Sequence, residues 1–332
     1  MKKDFALIIG IDNYKELDPL GPGPSNDAKS FRDWLISKDG GDVPKKNCHM
    51  ITSLPDFTPI QVQIDEELVD IYQKAKDARR FYFFFAGHGI GTSWNENGLC
   101  LPKWSRMLRN YALSSSSYLK VIVESGVFEE VFFFLDCCRN RVVSSYPMRP
   151  ILNWPKPSQN TANVSSLVAY ASSFDTPAKQ AALPVHNNTL EIRGIFTSAL
   201  IQGLKGAASE DNGNLTISGL KSYLDHRVKE LTQNKQVVRF ENTFTQNLVL
   251  QRMAPGKLKV DLEISFKTPG EIELYGPDMG LIEKKHSKEW PKSMAVSKGY
   301  HLVKNLTSEE EKFLIVELKF ENNVQIPSKH EF

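Results

Sequence analysis

The stretch FYFFFAGHG at residues 81–89 decides the fold class. Phe81–Ala86 is a run of aromatic and apolar residues that ends in Gly87-His88-Gly89. A run of strand length, bounded by charge on one side and glycine on the other, predicts a strand buried on both faces. Three further runs share this character: Phe5–Ile11 (FALIIGI), Val131–Leu135 (VFFFL) and Ser166–Ala171 (SLVAYA). Strands covered on both faces imply a parallel sheet between helical layers.

The intervening segments carry helical periodicity. Asn26 or Asp27 is placed to cap a helix over Ala28–Ser37, with Phe31, Trp34 and Leu35 on one face. Ile64, Leu68, Ile71, Tyr72 and Ala75 mark a second helix, and Tyr118–Glu124 a shorter third. Phe196, Leu200 and Leu204 mark a fourth, and Ile217, Leu220, Leu224 and Val228 a fifth. Strand–helix alternation of this kind gives a right-handed βαβ array, so the expected class is α/β.

Organisation follows from length and composition. A chain of 332 residues suggests about two domains. Lys plus Arg is 41 and Asp plus Glu is 39, and 41 − 39 leaves +2. That balance points to no nucleic acid partner. The longest apolar run is strand-length, far from the ~18 residues of a membrane span. The apolar run near the start is short and lacks a cleavage site. Four cysteines, two of them adjacent, do not make a disulfide scaffold. The expectation is a cytoplasmic chain with free thiols and no membrane contact. Arg139–Asn163 and Phe174–Glu191 read as long loops. Ala254-Pro255-Gly256 is a linker signal. Beyond it Leu258, Val260, Leu262 and Ile264, then Ile272 and Leu274, then Leu314, Val316, Leu318 and Phe320 alternate as strands do. The boundaries expected are residues 1–253 and a β-rich domain over 256–332.

Two of the predicted strands end in reactive groups. Phe81–Ala86 runs into His88, and Val131–Leu135 runs into Asp136-Cys137-Cys138-Arg139. Parallel sheets present functional groups at the carboxyl ends of their strands. If the two strands are neighbours, a thiol and an imidazole meet at one edge, as nucleophilic thiol catalysis requires. Strand alternation sends Cys137 and Cys138 to opposite faces, so only one can meet His88. Taken singly, either residue is more often structural, because cysteine is among the most buried residue types. Zinc-ligand spacing, C-x-x-C, G-x-S-x-G, a P-loop and H-E-x-x-H are all missing from the sequence.

In motif order the chain resembles the caspase/metacaspase family of cysteine peptidases, in its bacterial orthocaspase-like form. The residues that carry the resemblance are ALIIGIDNY (6–14), Asn26-Asp27-Ala28, FFAGHG (84–89), FLDCCR (134–139), VAYASS (168–173) and GIFTSALIQGL (194–204). His88 precedes Cys138 by 50 residues, the spacing seen in caspases. The resemblance covers about residues 5–252. It implies a caspase-like three-layer α/β/α fold with a mainly parallel central sheet, followed here by the small C-terminal β-rich domain. It implies Cys138 as nucleophile, His88 as general base and acid, and the Gly89 and Cys138 N–H groups as oxyanion hole. It also implies an acidic S1 pocket lined by Asp136 and Asp175, favouring Arg or Lys at P1, the residue before the scissile bond. The rival for Asp136 is a buried loop-capping carboxylate, with the pocket favoured, and for Asp175 the two stand even.

The chain departs from the family in two places. Arg139-Asn140-Arg141 stands where metacaspases continue His-Ser-Gly, and Phe5–Tyr14 lacks the arginine with which caspases recognise aspartate. Arg141, Arg149 and Lys156 are candidate self-cleavage sites in the loop after the nucleophile. No cofactor is required. Calcium activation occurs in the family, with no coordinating cluster to place here. His186 reads as a loop histidine, and Trp94 and Trp104 as packing. The β-rich tail is a substrate- or partner-docking module, a brake over the cleft, or a simple structural extension. The expected function is a cysteine endopeptidase acting on protein or peptide substrates after Arg or Lys. The alternatives are a caspase-like protease with non-basic P1 preference, acting on one dedicated partner protein as in bacterial immunity or programmed cell death, or a catalytically idle caspase-fold scaffold.

Overall fold

The computed structural model describes residues 3–76, 78–141, 147–150, 164–185, 189–210, 212–253, 259–276, 279–321 and 324–332. The first elements are β1 (Lys3–Gly10), α1 (Gly23–Ile36), β2 (Cys48–Thr52), α2 (Gln61–Lys74) and β3 (Ala78–Ala86). A meander of β4 (Gly89–Ser93), β5 (Glu96–Cys100) and β6 (Ala112–Ser114) leads to α3 (Ser115–Glu124) and β7 (Phe128–Asp136). Then come β8 (Ser165–Tyr170), β9 (Gln180–Val185), β10 (Thr189–Gly194), α4 (Ile195–Gln202), β11 (Asn214–Thr216), α5 (Ile217–Leu231), β12 (Arg239–Asn242) and β13 (Val249–Arg252).

The chain divides into two compact units. The first comprises residues 1–183, 190–201 and 221–248, and is built on a six-stranded sheet of order β12-β8-β7-β3-β1-β2. Its strands are parallel except β12, which pairs antiparallel with β8. The four apolar runs form its centre, and both their faces are covered. Phe5, Leu7, Ile9, Phe81, Phe83, Phe85, Val131, Phe133 and Leu135 point to one side, with Ile64, Leu68 and Ile71 of α2 and Tyr118 and Ile122 of α3. The alternate residues point to α1: Phe31 stacks on Phe84 at 4.7 Å and meets Phe134 edge-on at 5.5 Å. This is the three-layer arrangement, and each buried phenylalanine stabilises it by about 1.5–3 kcal/mol.

Three local expectations are corrected. The first helix begins at Gly23 with a proline in its first turn, so Asn26 and Asp27 lie inside it and do not cap it. The third begins at Ser115, a turn earlier than its apolar pattern suggests, because Ser114 Oγ accepts from Ser117 N–H at 3.1 Å as an N-cap. Phe174–Glu191 is no plain loop, since it contains β9 and the first half of β10, which pair as a two-stranded ribbon. The linker Ala254-Pro255-Gly256 lies outside the described residues.

The second unit comprises residues 184–189, 202–220 and 249–332. It is strand-rich, with sheets β11-β13, β17-β14-β22, β16-β15-β18-β19 and β20-β21. The added strands are β14 (Lys259–Ser265), β15 (Glu271–Tyr275), β16 (Leu281–His286), β17 (Met294–Ser297), β18 (Gly299–Asn305), β19 (Glu310–Val316), β20 (Lys319–Glu321), β21 (Val324–Ile326) and β22 (Ser328–Glu331). Val260, Leu262, Ile264, Ile272, Leu274, Val303, Leu314 and Val316 are its buried face.

Candidate active site

Register places the two reactive strand ends side by side. β3 and β7 pair in parallel, with Ala86 opposite Asp136. His88 and Cys138 each follow two residues later, so both leave the same sheet edge at the same level. Gly87 N–H closes the gap by donating to Asp136 O at 3.2 Å. β4 then runs beside the chain that follows Cys138, and Gly91 N–H donates to Asn140 O at 2.9 Å. A Cβ on Gly89 would sit 2.5 Å from Cys138 O and 2.8 Å from Cys137 Sγ. Glycine is required for that close approach.

His88 is held by main chain. Its Nε2 lies 2.9 Å from Asp18 O, and its own N–H donates to Tyr14 Oη at 2.7 Å. The Tyr14 ring meets the imidazole edge-on at 4.7 Å. A carbonyl only accepts, so Nε2 carries the hydrogen, and the neutral ring keeps its lone pair on Nδ1. Burial lowers the His88 pKa below its usual 6.5, partly opposed by the Asp18 carbonyl.

Cys138 is half-buried and Cys137 is buried, and both are free thiols. Among the described residues the Cys138 thiol bonds to Ala178, which donates N–H to Sγ at 3.3 Å and accepts the S–H at 3.7 Å. Burial raises the thiol pKa above its usual 9.0, and the Ala178 amide pulls it back in part. Cys137 turns to the other face, where Asn97 Nδ2 donates to its sulfur at 3.1 Å. Cys100 and Cys48 are buried as packing.

Asp136 is buried at the end of β7. Its Oδ2 accepts from Thr197 N–H at 3.0 Å and Thr197 Oγ1 at 2.6 Å. Burial pushes its carboxyl up to about 6, with Thr197 and Arg193 pulling it back. The second acid beside it is Asp27 of α1, which sequence reasoning did not select. Asp27 accepts from Arg193 Nε and from Gly194 N–H, both at 2.7 Å. Burial pushes Asp27 up to about 8 against the pull of Arg193, with Asp136 adding to the rise. Asp175 is placed differently. It is exposed, with φ 61°, and its Oδ1 accepts from Arg141 N–H at 3.0 Å, so it shapes the loop after Cys138.

Arg139 is fully buried. Its guanidinium lies 4.2 Å over the Tyr170 ring and donates Nη2 to the Ser93 and Trp94 carbonyls. It thereby ties the chain after Cys138 to the β4–β5 turn. Trp104 packs in the core, but Trp94 is exposed, against the expectation of packing. His186 and Lys156 lie outside the described residues. One three-member cluster with metal-ligand chemistry occurs among the described residues, His49 with Glu67 and Asp70. There each carboxylate faces a different ring nitrogen, the geometry of ion pairs and not of a chelate. No helix among the described residues is long and apolar enough to cross a membrane.

The sequence profile of the caspase domain matches residues 3–249. The chain belongs to the caspase family of peptidases. A probable protease from a Desulfuromonadales bacterium is 32% identical over 229 residues, which is 62% of this chain and 26% of that protein. The chain thus spans about a quarter of that relative's length. Protein GSU0716 from Geobacter sulfurreducens is a structural neighbour with TM-score 0.46 and 13% identity, covering 76% of this chain and 98% of that one. Pro-Sf-caspase-1 has TM-score 0.42 and 16% identity, covering 75% of this chain and 90% of that one. Within the caspase domain the residues missed by sequence reasoning are Asp27, Arg193, Thr197 and Ala178. Two of them lie in motifs that carry the resemblance, Asp27 in Asn26-Asp27-Ala28 and Thr197 in GIFTSALIQGL, but neither motif points to Asp136.

Proposed function

We propose that the caspase domain is a cysteine endopeptidase that cleaves protein or peptide chains after Arg or Lys. The observation that carries this reading is the register of β3 and β7, which brings His88 and Cys138 to one sheet edge with Asp136 beneath. Cys138 Sγ attacks the scissile carbonyl carbon. His88 Nδ1 takes the thiol proton, while Nε2–H stays anchored on Asp18 O. Lowered His88 and raised Cys138 pKa values favour a neutral pair at rest, so proton transfer accompanies attack. The Gly89 and Cys138 N–H groups stabilise the oxyanion. His88 then returns the proton to the leaving amine, and water hydrolyses the thioester to restore the thiol and release the acid.

Asp136 supplies the charge for a basic P1 side chain, since Thr197 occupies only its Oδ2. Asp175 contributes through the loop that carries Arg141. Self-processing at Arg141, Arg149 or Lys156 follows from the same preference. Four free thiols suit a reducing, cytoplasmic setting. Calcium activation, and partner docking through the C-terminal strands, remain part of this reading without a located site. A second reading, the idle scaffold, is favoured by one observation: the Cys138 thiol bonds to Ala178.

The test is a peptide library varied at P1, digested by wild type, Cys138→Ala and Cys137→Ala, with and without calcium. Cleavage after Arg or Lys that disappears only in Cys138→Ala is expected. Activity that survives Cys138→Ala and not Cys137→Ala overturns the nucleophile assignment. No cleavage under any condition supports the scaffold.

A further inference from the structure

The acidic pocket already holds a basic side chain. Arg193 is the penultimate residue of β10, just before Gly194, and its Nε donates to Asp27 Oδ1 at 2.7 Å. Its side chain is largely buried, at 13% exposed, beside an Asp27 side chain at 1%. Asp136 converges on the same point: a Cβ on Gly194 would overlap Asp136 Oδ2 and lie 2.8 Å from Asp27 Oδ2. Both carboxylates thus meet at the residue next to Arg193, and Asp27 bonds to the guanidinium directly. Glu191, 3.9 Å from Arg193 Nη1, is the nearby acid on the outer side.

We propose that Arg193 is a specificity-determining residue, a resident basic side chain in the acidic pocket with which the P1 Arg or Lys of a substrate must compete. The inference rests on the basic-P1 reading above. A P1 cation entering beside Asp136 gains from that carboxylate but meets a like charge already paired to Asp27, in a setting that screens poorly. Arg193 thus holds down affinity for basic side chains and leaves neutral ones untouched. A purely structural clamp is the rival account, but β10 has other anchors on α1. Asn26 Nδ2 donates to Ile192 O at 3.5 Å, and the Ile192 side chain lies 3.2 Å from where a Gly23 Cβ would be.

The substitution Arg193→Gln separates charge from hydrogen bonding, because the amide can still donate to Asp27. Arg193→Lys restores the charge. Two measurements are made on the full chain. One is kcat and KM on peptides with Arg, Lys or Leu at P1. The other is calorimetric binding of agmatine to Cys138→Ala protein with Arg, Gln or Lys at position 193, which reads the pocket without turnover. In Arg193→Gln, KM for P1-Arg and Kd for agmatine should both fall about tenfold, the effect of removing one like charge. Values for P1-Leu should stay unchanged, and Arg193→Lys should return to wild type. Unchanged or weaker agmatine binding in folded Arg193→Gln protein, or no agmatine binding to any of the three, overturns the proposal. The basic-P1 reading fails separately if wild type prefers Leu or Asp at P1 and Asp136→Asn leaves agmatine binding unchanged.

Discussion

Ala178 donates its amide hydrogen to Cys138 Sγ at 3.3 Å, so this sulfur rests on main chain from the segment after β8. Burial decides the resting ionisation of the thiol, and that contact opposes it. Burial drives its pKa above 9.0, the amide offsets only part of the rise, and His88 is shifted below 6.5. An imidazolium–thiolate pair is therefore disfavoured at rest. Iodoacetamide alkylation of Cys138, followed by mass spectrometry, should keep accelerating as pH rises past 9. A rate that levels off below pH 8 would sink the neutral pair.

Recognition of a basic side chain should depend on pH through Asp136. Its carboxyl is pushed up to about 6, so below that pH it is protonated and has no charge to offer. Above it the carboxylate ionises, and the basic-P1 reading then has it pair with the P1 cation. KM for a P1-Arg peptide should fall as pH rises through about 6, while KM for a P1-Leu peptide stays level. Parallel curves for the two peptides would remove Asp136 from P1 recognition.

Gly194 leaves no room for a methyl group. A Cβ there would overlap Asp136 Oδ2 and press on Asp27 Oδ2 at 2.8 Å. Both acids are buried and fixed, by Thr197 and by Arg193 respectively. Gly194→Ala should cost about 1–3 kcal/mol in urea unfolding, as overpacking does. It should also weaken peptide cleavage after Arg. A midpoint equal to that of wild type would show that the helix after β10 can shift freely.

Arg139→Ala removes a fully buried side chain, its stacking on Tyr170 and its bonds to the Ser93 and Trp94 carbonyls. A loss of about 2–4 kcal/mol is expected, typical of deleting a buried network. Because Arg139 directly follows Cys138, kcat should drop as well. Unchanged stability by denaturant titration would mean that the β4–β5 turn is held by other contacts.

How much of this could be read from the sequence depended on burial. β1, β3, β7 and β8 announced themselves because both faces of each are covered, which leaves an unbroken apolar run. The edge strands β2 (CHMIT) and β12 (RFEN) are half-exposed and carry no such run. The ribbon of β9 and β10 is likewise mixed in character, so it looked like loop. At the site, His88, Asp136 and Cys138 were legible because each follows or ends a buried strand. The roles of Asp27 and Arg193 were not, since one lies inside a helix and the other near the end of a ribbon strand. Only tertiary structure brings them to Asp136, and spacing along the chain carries no trace of that meeting. Asp175 shows the converse, a motif-like position whose carboxylate turns to Arg141 N–H.

The partner of His88 Nε2 is the carbonyl of Asp18, and a main-chain oxygen survives every side-chain substitution at its own position. Mutational vulnerability is thereby displaced from residue 18 to whatever fixes the loop that carries it. Asp12 does so: its Oδ1 accepts from Ser25 N–H at 2.9 Å, its O from Leu20 N–H at 2.9 Å, and its own N–H donates to Ser53 Oγ at 2.9 Å. Substitution at this remote aspartate is therefore expected to disturb the seating of the His88 ring, whereas substitution at residue 18 keeps the bond and loses only the Asp18 charge.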